Sequence, residues 1–167
     1  MNRPFAVAIA LSAVAALAVG VPATANAAAN NVIKVDKSIN RIQVGFSERK
    51  VLNKMESSPT SIQTGVNDFG RFRVLTFKKR FSVTILENRG VTLMATKSAK
   101  QRTFDGIGVG STKSQVRTAY TVTCEPVPTE PGQQLCLTKV PTVGETATTF
   151  RLEDKVVYQV DVGTLVD

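Results

Sequence analysis

Between residues 71 and 97, apolar and polar positions alternate in three short runs, RFRVLTFK, FSVTILE and VTLMATK, rich in β-branched and aromatic side chains. Separated by Lys78-Lys79-Arg80 and Asn88-Arg89-Gly90, these runs predict antiparallel strands over 71–78, 81–87 and 91–97. Gly90 supplies the positive φ that a tight turn often needs. Arg71 and Arg73 share a strand face with Leu75 and Phe77, and Phe72 and Val74 on the opposite face are expected to fill the core.

At two places a helical period replaces the twofold one. Thr112 with Gln115 reads as a capping box, and Val116, Ala119 and Tyr120 follow at helical spacing, so a helix is expected over 113–120. Ser47 caps an earlier helix over 48–55, with Glu48 in its first turn and Lys54 in its last, each suiting the helix dipole. The two helix starts correspond at an offset of 65: Ile42 with Ile107, Val44 with Val109, Gly45 with Gly110, Ser47 with Thr112, Val51 with Val116 and Met55 with Tyr120. Residues 86–91 and 152–157 correspond at an offset of 66, so one gap falls between helix and sheet. The expected fold class is therefore α+β, as two tandem repeats, each a short helix packed on a three- to four-stranded antiparallel sheet. In tandem they either continue one long sheet or stand side by side with a groove between them.

The remaining segments fill in around these units. Residues 30–44 read as a lead-in strand or extended segment, and residues 56–70, with their Ser, Pro, Thr, Asn and Gly, as mainly loop. Strand-like runs over 121–124 and 134–139 bracket a proline-rich turn, with Cys124 and Cys136 at its flanks, and two more strands are expected over 147–153 and 156–163. In an exported chain a Cys124–Cys136 disulfide is the default, stapling a long hairpin.

Residues 1–27 carry the export reading. A basic start, an uncharged run over 5–21 and Ala25-Asn26-Ala27 predict a signal peptide cleaved after Ala27, a secreted protein and no membrane span after cleavage. The mature chain divides into a basic first repeat, 28–104, with fifteen Lys and Arg against five Asp and Glu, and an acidic, disulfide-containing second, 105–167, with five against eight. Net charges of +10 and −3 suit an anionic partner for the first half, and equally a solvated basic face. With no aromatic-rich basic motif, nucleic acid is not an expected partner.

The chain contains no His, which removes Ser-His-Asp and Cys-His arrangements and the usual proton shuttle. With only two thiols besides, no metal site and no cofactor are expected. The glycine run 106–111 lacks the third glycine of a dinucleotide fingerprint and the Lys of a P-loop, and reads as turn chemistry. Ser47-Glu48-Arg49-Lys50 fits S-x-x-K, but no K-T-G follows and Ser47 is needed as a cap. Carboxylates fall mostly at predicted turns, Glu153-Asp154 among them, and a glycosidase-type pair stays open because spacing in space is not visible.

A glycine turn, the T-x-x-Q-V helix start, a Cys pair and F-x-L-x-x-x-x-V in the last hairpin, all after a signal peptide, resemble the β-lactamase inhibitory protein family and, more closely, a group of small exported actinobacterial proteins. The resemblance implies a curved sheet whose concave face grips a partner protein. It also implies a Cys pair in both repeats and a gripping surface rich in Trp and Tyr, whereas this chain has no Trp, two Tyr and Cys only in its second half. The expected function is a non-enzymatic binding module in the cell envelope or medium, its partner a protein or, alternatively, an anionic cell-wall polymer. A wall-enzyme or β-lactamase inhibitor and a small hydrolase rank below these. The expected binding residues are Arg71, Arg73, Lys78, Lys79 and Arg80, where positive charge is densest.

Overall fold

The computed structural model describes residues 32–140 and 142–164, and the export segment read at 1–27 lies outside the described residues. The chain is β-rich, with two sheets and two short helices.

Its first strands are brief: β1 (Val32–Lys34), β2 (Ser38–Ile39) and β3 (Ile42–Gln43). Left-handed residues turn the chain sharply between them, at Asp36 (φ 54°), Asn40 (φ 53°) and Arg41 (φ 64°). The expected extended lead-in is thus a folded antiparallel piece. A later strand, β8 (Arg102–Thr103), joins it in parallel to give the order β3-β2-β1-β8. Asp36 fastens this small sheet to the larger one: its Oδ1 accepts from the Thr148 amide at 2.8 Å, and its own amide donates to Thr148 Oγ1 at 2.6 Å.

Helix α1 (Glu48–Met55) begins where its cap predicts, with Ser47 Oγ accepting from the Lys50 amide. It leads into β4 (Ser61–Asn67), β5 (Gly70–Phe77), β6 (Phe81–Leu86) and β7 (Gly90–Thr96). β4 corrects the expectation of a loop over 56–70. It pairs with β5 along its whole length, and the Phe72 ring lies over Gly65, 2.5 Å from where a Cβ would stand, filling the surface that the glycine leaves bare.

Helix α2 (Lys113–Ala119) carries the complete capping box: Thr112 Oγ1 accepts from the Gln115 amide and Gln115 Oε1 from the Thr112 amide. It is followed by β9 (Thr123–Pro126), β10 (Gln133–Leu137), β11 (Thr146–Glu153) and β12 (Val156–Thr164). β7 pairs antiparallel with β12, so all eight strands form one sheet in the order β4-β5-β6-β7-β12-β11-β10-β9. Of the two arrangements left open by the sequence, the chain adopts the continuous sheet.

Alternation along the strands buries one face and leaves the other half-covered. The buried face gathers Leu75, Phe77, Phe81, Val83, Met94, Phe150, Leu152, Val160 and Val162 under Val51 of α1, Val116 of α2 and Ile33, Ile39 and Ile42 of the small sheet, as one core. Burying that much apolar surface is the main stabilising term. Leu75 and Phe77 are therefore the inward residues of β5, while Phe72 and Val74, expected to fill the core, lie half-buried on the other face. A period of two fixes which residues share a side, not which side faces inward.

Candidate binding surface

Four regions are candidates for a functional site, three of them marked by the sequence. The first is the basic meander. Arg71 and Arg73 line a cleft of about 1000 Å³ between the start of α1, β4–β5 and the β6–β7 hairpin, together with Thr64, Val66, Arg89 and Gly90. Arg73 Nη1 donates to Glu48 Oε2 at 2.7 Å, tying β5 to the first turn of α1, and its Nε is buried without a partner among the described residues. Arg71 is exposed. Lys78 and Arg80 sit in a 3-10 turn at the far end of β5 (Lys78–Arg80). Seven residue steps along the strand separate Arg71 from Lys78, roughly 23 Å at strand rise. Arg71 and Arg73 thus share one cleft, and Lys78 and Arg80 do not reach it. The Lys79 side chain lies outside the described residues.

At the head of α1, the Lys50 ammonium lies 3.9 Å from the centre of the Phe46 ring, a cation–π placement, rather than against the Ser47 hydroxyl. Ser47 Oγ is engaged as a helix cap. Among the described residues none is placed to activate Ser47 as a base, which an S-x-x-K nucleophile requires.

The glycine run is self-satisfied. The Gly108 amide donates to Ser111 Oγ, the Ile107 amide to Thr103 Oγ1, and the Arg102 guanidinium covers the carbonyls of Gly106 and Val109. A phosphate cradle needs amides that point outward and unpaired, and these two point inward. Tyr120, at the end of α2, stacks on Phe150 with ring centres 5.8 Å apart and donates to Asp105 Oδ2 at 2.6 Å. Burial, reinforced by the Asp105 hydrogen bond, pushes its phenol up to about 12.

The fourth region is the open face of the long sheet, which motif reading did not single out. Val74, Thr76, Ser82, Thr84, Leu93 and Ala95 continue across the β7–β12 seam into Thr149, Ala147, Leu135 and Leu137, all half-buried. At its centre Asp161 is 3% exposed and accepts from Arg151 Nε and, at 2.6 Å, from Gln159 Nε2. Burial works against the Arg151 charge, but the Asp161 carboxylate outweighs it and holds the guanidinium pKa above its ordinary value. Tyr158 donates to Gln133 Oε1 at 3.0 Å, and Lys97 lies 5.7 Å from its ring centre. The sequence pointed to this face only through the strands expected over 71–97 and 147–163, whose outward residues are too mixed to announce a surface.

Cys124 and Cys136 stand directly opposite each other on β9 and β10 and form the expected disulfide. Among the described residues no group of three or more His, Cys, Asp or Glu could hold a metal ion, and no helix is long and apolar enough to cross a membrane. Comparison of the chain with family models, with curated proteins and with solved structures finds no match.

Proposed function

We propose that this protein is an exported, non-enzymatic binding module, built from a duplicated unit, that presents the open face of its long sheet to a partner protein. The observation that carries the reading is the continuity of that face across eight strands, with neither of the described helices laid on it. Its side chains are mainly Ser, Thr, Ala, Gln and Leu around one satisfied ion pair, with no nucleophile and base paired on it among the described residues.

Duplication is supported by two sets of hydrogen bonds. The Gly45 amide donates to Val91 O and the Val91 amide to Phe46 O; the Gly110 amide donates to Val157 O and the Val157 amide to Ser111 O. In each case the loop that precedes a helix is laced to the first residues of the last strand, at the offsets of 65 and 66 read from the sequence. A register shift also falls between Thr84 and Ile85 on β6 and between Arg151 and Leu152 on β11. The resemblance to β-lactamase inhibitory proteins belongs to this reading as an expectation of how such a sheet is used.

A photo-crosslinking residue at Thr84 or Thr149 on the open face, compared with one at Thr118 on the exposed side of α2, tests the proposal in the envelope and medium of the producing cells. Adducts to the same protein from Thr84 and Thr149, and none from Thr118, are expected. Adducts from Thr118 alone, or none from the sheet positions, would overturn it.

A further inference from the structure

The two free edges of the long sheet are built differently. β9 is four residues long, ends in Pro126, carries Glu125 and is tethered by the Cys124–Cys136 bond. Short length, proline and charge are the devices by which natural sheets keep an edge from pairing. β4 has none of them. It runs for seven residues, SIQTGVN, without a charge or a proline, and none of its residues is buried. Ile62 is 48% and Val66 74% exposed, and no strand among the described residues pairs with its outer side. Alternate amide and carbonyl groups of β4 therefore point away from β5, ready for another strand.

The side chains beside this edge select what could pair with it. On the helix-bearing side, Thr64 lies opposite Arg73 and Val66 opposite Arg71. A strand added outside β4 would stand two strand spacings from β5, roughly 10 Å. An arginine stem and a glutamate together span that distance, and only the small Thr64 and Val66 intervene. Glu48 already holds Arg73, while Arg71 has no side-chain partner among the described residues. Two copies paired through β4 would leave their Arg71–Arg73 clusters three strand spacings, roughly 14 Å, apart, and a second β4, which carries no charge, would set no carboxylate against Arg71. We infer that β4 is a strand-addition site for an extended, acidic polypeptide segment of a partner, which pairs its backbone with β4 and sets a carboxylate against Arg71. The inference rests on the binding-module reading but concerns a different surface from the open face, so crosslinking from Thr84 and Thr149 scores that reading independently.

The test uses the full protein and blocked heptapeptides alternating Thr with Glu, Thr with Lys, and Thr with Glu N-methylated at every second amide. Binding is read by amide shifts and hydrogen exchange. The Glu peptide is expected to bind about tenfold more tightly than the Lys peptide and to slow exchange of β4 amides. The N-methylated peptide should lose both effects, because it cannot complete the ladder. Arg71→Glu, at an exposed site, should invert the Glu-over-Lys preference while leaving shifts outside β4–β5 in place; Val66→Pro should abolish binding, with the Arg71→Glu result deciding the matter if the proline variant does not fold. Equal binding of the methylated peptide, failure of any peptide to slow β4 exchange, or full displacement by linear polyphosphate without β4 protection would overturn the inference, the last in favour of a polyanion site.

Discussion

Tyr120 shows how one side chain ties stability to pH. Its phenol donates to Asp105 and stacks on Phe150, and burial with that hydrogen bond raises its pKa from the ordinary 10.0 to about 12. A raised value on an acid means that folding favours the neutral form. The contribution is therefore complete below pH about 10, the unfolded value, and is lost as pH rises through about 12. The ring is only half-buried, so solvent screening limits the contribution to about 1 kcal/mol. Tyr120→Phe should cost that much at neutral pH, and its deficit against the parent should close between pH about 10 and 12, as urea midpoints at both ends of the window would record. A constant deficit would remove the linkage. Ser47 offers a second single-residue case. As a cap, its replacement by Ala should cost about 1 kcal/mol and replacement by Asp should restore the loss, since a carboxylate accepts the same amide bond. An acyl-enzyme nucleophile tolerates neither change, so any turnover that survives Ser47→Asp cannot pass through Ser47.

Elements differ in how much of them can be read before folding. α1 and α2 were legible because capping is local: Ser47, Thr112 and Gln115 act on amides within three residues. β6 and β7 were legible as β-branched and aromatic runs bounded by turn residues, and β11 and β12 from their correspondence in order with those runs. β4 was not. It buries nothing, is interrupted by Gly65, and is a strand because β5 pairs with it and Phe72 covers the glycine, both non-local facts. The small sheet was hidden for another reason, since strands of two or three residues separated by left-handed Asp36, Asn40 and Arg41 have no period to detect. The candidate site divides likewise. Arg71 and Arg73 were visible as a pair, whereas the cleft they line and the ion pair Arg151–Asp161 depend on what α1 and the neighbouring strands bring near. The β9–β10 hairpin is the element most dependent on a covalent link. Closing a loop of twelve residues' separation contributes about 3 kcal/mol on the chain-entropy scale. Reduction should remove about that much and free the β9 and β10 amides to exchange, while β5 and β6 keep their protection; uniform loss across the sheet would show the hairpin to be integral to the core.

At the scale of the whole molecule the question is whether the strands before and after the β7–β12 seam fold as two units or one. Each half, taken alone, lies in the size range where a single core is marginal without further support. The halves do not keep separate cores: Leu75, Phe77 and Val83 belong to the same buried cluster as Phe150, Leu152 and Val162. The seam between them is also tightly fitted. Gly163 on β12 faces Leu93 and the Thr92 carbonyl on β7, and a Cβ there would come within 2.6 Å of Leu93 Cδ1 and 2.8 Å of Thr92 O. Cores shared across a paired seam predict one cooperative transition for the described part of the chain. Gly163→Val, which wedges β7 from β12, should then lower the stability of both halves together by about 1–3 kcal/mol. Differential scanning calorimetry of parent and variant, with exchange read separately at β5–β6 and β10–β11, distinguishes the cases. Coincident loss in both halves under a single endotherm fits one folding unit, whereas two resolved endotherms in the parent, or loss confined to β9–β12 in the variant, would mean that the seam joins two independently stable sheets.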